Sequence, residues 1–148
     1  MTHRILVPLD GSPGSEAVLT EVTTLARAEH AVVRLLHVAP PVEARTAEGR
    51  VLAYADQVAA QTANQVRVYL TSVAAMLAGL EVELAVRFGD PVREILDETA
   101  AARVDLVAMA THRRDGIQRI LRGSVAERVE RACRVPVLLV GYGARLAA

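Results

Sequence analysis

Apolar residues along this chain follow two rhythms. Short runs that are almost unbroken occupy residues 5–9, 31–38, 105–110 and 136–140. Between them, apolar residues recur every three or four positions. The runs predict buried strands and the spaced stretches predict helices with one inward face. Gly11-Ser12-Pro13-Gly14 reads as a turn, with Ser12 as N-cap and Pro13 in the first helical position. Ala17, Val18, Val22, Leu25 and Ala26 then mark a helix. Pro40-Pro41 ends the second strand, and a polar connection leads into a long helix over about residues 50–78. Its stripe is Val51, Ala55, Val58, Thr62, Val66, Tyr69, Val73 and Met76, and Gly79 is a suitable stop.

Residues 81–88 break the pattern by alternating. Val82, Leu84, Val86 and Phe88 share one face, while Glu81, Glu83 and Arg87 share the other. A strand with one wet face suits a sheet edge. Asp90 caps a further helix with Pro91 in its first turn, and Val92, Ile95, Leu96 and Thr99 form its inward side. A charged loop follows the fourth strand over residues 111–122. A last helix spans residues 124–132, and the residues from Gly141 on read as a tail.

Strands alternating with helices imply parallel strands joined by right-handed crossovers, hence an α/β domain with helices on both faces of a five-stranded sheet. Ligands of such sheets bind beyond the carboxyl ends of the strands, where the strand order reverses. With the order 3-2-1-4-5, the reversal falls between strands one and four. Asp10 and Thr111-His112 then flank one crevice.

Composition narrows the chemistry. The 148 residues suit one domain, 1–148, with no repeat or linker inside it. The formal net charge is zero, which disfavours nucleic acid and anionic membranes as partners. No stretch approaches the roughly 20 apolar residues that span a bilayer. The N-terminal apolar run is too short for a signal peptide. With Cys133 as the single cysteine, no internal disulfide can form, and a cytoplasmic location is expected. All 17 basic residues are arginine. The absence of lysine excludes a P-loop lysine and a Schiff-base lysine. His3, His30, His37 and His112 lack zinc-ligand spacing, so no structural metal is expected. No GxGxxG fingerprint occurs.

Two segments carry a family resemblance. Residues 109–129, Met-Ala-Thr-His-Arg-Arg-Asp-Gly-Ile-Gln-Arg-Ile-Leu-Arg-Gly-Ser-Val-Ala-Glu-Arg-Val, run on to Val135-Pro-Val-Leu-Leu-Val140. This stretch resembles the C-terminal signature of the universal stress proteins, and Ile5-Leu-Val-Pro-Leu-Asp-Gly-Ser12 resembles their first strand and turn. The resemblance implies an adenine nucleotide, ATP or AMP, with or without Mg2+, held by Pro8, Leu9, Asp10, Val38, Met109, Ala110, His112, Arg113, Gly123, Ser124, Val125 and Ala126. Within that set, Asp10 would meet adenine or ribose and Val38 would line the base pocket.

ATP-binding members carry G-x-x-G, nine residues, then G-[ST]. Here those positions hold Ala110, Arg113 and Gly123-Ser124, so the last pair matches and the first does not. Arg113 either fills the phosphate site or, with Arg114, supplies it with charge. The residues by themselves also allow plainer roles: an Asx turn for Asp10, a packing role for His112 and Cys133, and a solvated helix face for the arginines from Arg113 to Arg134. Ser124 and Glu127 form a capping box in any case, and free amides at a helix start attract phosphate.

Strand five is apolar on both faces yet lies at a sheet edge, which predicts either a homodimer through Val137, Leu138, Leu139 and Val140 or a helix or the tail covering that edge. The family commonly pairs through this strand. The expected function is therefore a dimeric stress-response regulator that binds an adenine nucleotide. The alternative is a dimeric interaction module that binds no nucleotide and acts on an unknown protein partner. Weak ATP hydrolysis is the least supported reading, since only Asp10 and His112 offer chemistry for it.

Overall fold

A computed structural model describes residues 3–41, 50–112 and 124–142. Five parallel strands form one sheet in the order β3-β2-β1-β4-β5: β1 (Arg4–Pro8), β2 (Val32–Ala39), β3 (Val82–Phe88), β4 (Leu106–His112) and β5 (Val137–Tyr142). The helices are α1 (Leu19–Glu29), α2 (Arg50–Ala75), α3 (Pro91–Ala101) and α4 (Val125–Ala132). The topology is the one the sequence predicts.

Because side chains alternate across each strand, the sheet has two separate cores. Ile5, Val7, Val33, Leu35 and Ala108 pack with Val22 and Ala26 of α1 and Leu70 and Val73 of α2. Leu6, Leu36, Ala85, Val107 and Met109 pack with Val92 and Ile95 of α3 and Ala126 and Val129 of α4. Both faces are buried, which is why β1, β2 and β4 read as apolar runs and not as alternation.

Four local expectations need correction. The first helix does not begin directly after Pro13. A 3-10 turn, Ser15–Val18, precedes α1, with Ser15, Glu16 and Ala17 donating to Ser12, Pro13 and Gly14 carbonyls. Met76 is not on the buried stripe of α2 and is 64% exposed. The inward positions are Leu70, Val73 and Leu77. Beyond Ala75 the amides of Met76 and Leu77 reach back three residues to Val73 and Ala74, and that tighter turn keeps Leu77 inward. The residues after Val140 are not all tail, because β5 runs on through Gly141 and Tyr142, paired with Thr111 and His112.

The fourth correction concerns the polar face of β3, which is only partly wet: Glu81 is exposed, but Glu83 and Arg87 are engaged in ion pairs. Glu83 accepts from Arg4 Nε at 2.9 Å and Arg34 Nη1 at 3.0 Å. Arg34 Nε donates to Glu98 of α3. Glu98 also accepts from Arg87 Nε at 2.6 Å, and Arg87 Nη1 reaches Glu94 at 3.1 Å. Arg4, Glu83, Arg34, Glu98, Arg87 and Glu94 thus form one chain of alternating charge between the sheet edge and α3.

Candidate functional site: a crevice at the split between β1 and β4

The crevice follows from strand register. β1 pairs with β4 at Ile5–Leu106 and Leu6–Val107. Past that point β1 stays with β2 up to Pro8–Leu36, while β4 stays with β5 up to His112–Tyr142. The two halves of the sheet therefore part at their carboxyl ends. Helices crossing from opposite sides cannot fill the gap, and a cavity of about 460 Å³ remains. That volume lies in the usual range for small-molecule sites, roughly 300–1,000 Å³.

Each wall comes from a different element. Pro8, Leu9 and Asp10 continue β1, Val38 is near the end of β2, and Met109, Ala110 and Thr111 end β4. Ser124, Val125 and Ala126 start α4. Pro91 and Ile95 lie in the first turns of α3, and Ser15 belongs to the 3-10 turn. Nine of the twelve expected residues thus meet in one cavity: Pro8, Leu9, Asp10, Val38, Met109, Ala110, Ser124, Val125 and Ala126. Arg113 and Gly123 lie outside the described residues, as does the side chain of His112. Thr111, expected to flank the crevice, lines it as well, whereas Ser15, Pro91 and Ile95 are lining residues that the sequence reading does not include. A signal for the α3 pair was present. Asp90-Pro91 starts a helix at the carboxyl end of a strand, and the crossover to β4 must pass this rim.

The walls are mostly apolar, and polar atoms sit at two ends. At one end, Leu9 is tied down twice after β1 ends. Its amide donates to the Leu36 carbonyl at 2.8 Å, and its carbonyl lies 2.8 Å from His37 Nδ1. The chain then turns at Gly11, whose φ of +91° suits a residue without a side chain. The turn brings Ser12 back onto Asp10. Asp10 Oδ1 accepts from the Ser12 hydroxyl at 2.6 Å and the Ser12 amide at 2.8 Å. Asp10 Oδ2 has no hydrogen-bond partner among the described residues. Partial burial pushes the Asp10 carboxyl up, but the bonds from Ser12, with the Ser15 hydroxyl beside them, outweigh burial and leave it below the usual carboxylate range. Asp10 is thus ionised at neutral pH, with one oxygen fixed and the other able to accept a donor.

At the other end α4 begins. Ser124 Oγ accepts from the Glu127 amide at 3.2 Å, so the N-cap bond is formed, but Glu127 Oε1 accepts from the Ser124 hydroxyl at 3.1 Å and not from its amide, so the expected capping box is only half made. The amides of Val125 and Ala126 have no intrahelical partner and none among the described residues. With the helix dipole they favour an anion at this end. One end of the crevice therefore accepts hydrogen bonds, the other donates them, and the middle is apolar. A nucleoside phosphate has matching parts: hydroxyl or amino donors, an anionic group and a flat ring. Among the described residues no three His, Cys, Asp or Glu side chains are grouped to hold a metal ion.

Known proteins bear on this geometry. Residues 1–141 match the universal stress protein family. Universal stress protein YxiE of Bacillus subtilis is 25% identical over 147 residues, covering 95% of this chain and 99% of that protein. Among solved structures, MJ0577, the subject of a structure-based assignment of biochemical function, aligns with a TM-score of 0.79 and 26% identity, over 97% of this chain and 99% of its own. A universal stress protein in complex with cAMP aligns at 0.67 with 19% identity, over 96% and 98% of the two chains. The Archaeoglobus fulgidus universal stress protein in complex with dAMP aligns at 0.64 with 18% identity, over 95% and 98%.

Proposed function

The chain belongs to the universal stress protein family, and on that premise we propose that it is a stress-response regulator that binds an adenine nucleotide in the crevice between β1 and β4 and works as a cytoplasmic homodimer. The observation that carries the reading is the convergence of Asp10, Val38, Met109, Ala110 and the start of α4 on one cavity of nucleotide size. The adenine nucleotides held by two structural relatives, cAMP and dAMP, support the same ligand class.

In this reading Val38, Ile95 and Met109 enclose the base, Asp10 Oδ2 accepts from the ribose or the base, and the amides of Val125 and Ala126 with Ser124 receive phosphate. A magnesium ion brought by ATP would bind through phosphates and water. The edge position of β5 supports pairing through Val137, Leu138, Leu139 and Val140. The free Cys133 fits a reducing compartment, and no helix among the described residues is long and apolar enough to cross a membrane.

A second reading rests on one observation, Arg113 at a position where ATP-binding relatives carry glycine. In that reading the protein is a dimeric interaction module without a nucleotide. Equilibrium dialysis against ATP and AMP separates the two. Saturable uptake that Asp10→Ala weakens at least tenfold supports the first, and no uptake by the wild-type protein leaves only the second.

A further inference from the structure

Asp10 is an exposed residue on a loop, yet its carboxylate is held in one orientation. Ser12 supplies both bonds to Oδ1, and Ser12 is in turn held by Ser15. Ser15 Oγ accepts from the Asp10 amide at 3.2 Å and donates to the Ser12 carbonyl at 2.9 Å. The Ser15 amide donates to Ser12 Oγ at 3.2 Å, which points that hydroxyl's proton at Asp10. We infer that Ser15 is the positioning residue of the crevice, and that its hydroxyl clamps the 10–15 loop so that Asp10 presents Oδ2 to the ligand. This rests on the nucleotide reading above for its ligand, although the clamp itself does not.

Ser15 lines the cavity, but its hydroxyl proton is spent on Ser12 and a lone pair on Asp10. It therefore acts on a ligand through Asp10. The bonds from Ser12 hold Asp10 as an acceptor, so the clamp favours ligands that bring a hydroxyl or amino donor to this end and disfavours those that bring an acceptor. The 3-10 turn that carries Ser15 is anchored independently. Its neighbour Glu16 accepts from the Tyr69 hydroxyl of α2 at 2.7 Å. Burial and the Glu16 carboxylate push the Tyr69 phenol well up, so it stays a donor throughout the ordinary pH range. The other titratable group at the loop is His37 of β2, against the Leu9 carbonyl. No cation among the described residues pairs with Asp10, so hydrogen bonds are what hold its carboxyl low.

The test follows the Asp10 carboxyl by 13C NMR in the nucleotide-free protein, assigned with Asp10→Asn, alongside AMP titration. Ser15→Ala should raise the Asp10 midpoint toward the ordinary aspartate value of 3.8 and weaken AMP about tenfold. Ser15→Thr, which keeps the hydroxyl, should restore both. A merely structural serine would lower the melting temperature and leave the midpoint in place, and an unmoved midpoint in Ser15→Ala overturns the proposal. If Ser15→Ala fails to fold, Ser15→Cys weakens the same bonds at similar volume and must move the midpoint upward. If the wild-type protein binds no AMP, the nucleotide reading fails while the carboxyl titration still decides the clamp.

Discussion

Glu98 of α3 and Arg34 of β2 are joined by a hydrogen bond inside the layer between sheet and helix, and Glu98 is only 5% exposed there. Arg87 binds its other oxygen. Burial pushes this carboxylate up, but the hydrogen bonds and charge of its two guanidinium partners outweigh that and hold it below the usual range. Removing it takes one partner from each of two cations and leaves Arg34 with Glu83 and Arg87 with Glu94. Glu98→Ala should therefore cost about 2 kcal/mol in urea unfolding. Replacing Arg34 by Met and Glu98 by Leu together should recover part of that loss, because neither variant side chain needs a partner.

The same chain of charges fixes the acid response. Arg4 and Arg34 hold Glu83 low by hydrogen bonds that exceed its partial burial, as Arg87 and Arg34 do for Glu98. Glutamates that are more acidic in the fold than in the unfolded chain stabilise fully above the ordinary value of 4.5. That contribution is lost as pH falls from there through the lowered folded values. Urea midpoints should be flat near neutrality and drop below about pH 4.5. In Glu98→Gln the drop should be shallower, since one of the linked protons is gone.

Gly89 has a backbone conformation that disfavours any side chain and lies close against Glu94. Its φ is +142°, and an added Cβ would lie 2.9 Å from Glu94 Oε2 and 3.2 Å from Glu94 Cγ. Glu94 cannot swing away without giving up Arg87. Gly89→Ala should thus lower stability by about 1–3 kcal/mol. If thermal melting shows no change, Glu94 has an alternative position and the Arg87–Glu94 pair contributes little.

The dimer can be probed without touching a core. Leu138 and Val140 pack against the first core cluster, so a charge placed on either would strike the fold as well as the interface. The Val107 amide donates to the Pro136 carbonyl. Alternate residues of β5 from Pro136 therefore face β4, and the Gly141 amide faces outward. Gly141 is exposed, so Gly141→Pro removes one outward donor at little cost to packing. Sedimentation should find the wild-type protein dimeric and this variant dissociating more readily at equal concentration, with an unchanged far-ultraviolet circular dichroism spectrum showing that the fold is kept. A variant that stays dimeric to the same dilution moves the interface elsewhere.

Most of the frame was legible because burial on both faces leaves a plain mark. Four strands read as apolar runs, and Asp90-Pro91 and Ser124 announce helix starts that the hydrogen bonds bear out. Strand order alone places Asp10 beside the end of β4. The ionic chain was not legible. Arg4 and Arg34 lie in or beside apolar runs, and their partners are 49 to 79 residues away in sequence. Alternation in β3 correctly marked an edge strand, but alternation cannot tell water from a row of arginines. The clamp by Ser15 was missed for a related reason: a serine two residues after a Pro looks like part of the turn, and only the loop's closure gives its hydroxyl two partners.

Nucleotide occupancy tests the central claim most directly. The purified protein would be denatured and its supernatant resolved by anion exchange, and the stripped protein titrated with Mg-ATP and AMP in a calorimeter. The account predicts a bound adenine nucleotide in the supernatant, or saturable heat at micromolar concentrations with Asp10→Ala clearly weaker. An empty supernatant together with no heat for either nucleotide would contradict it.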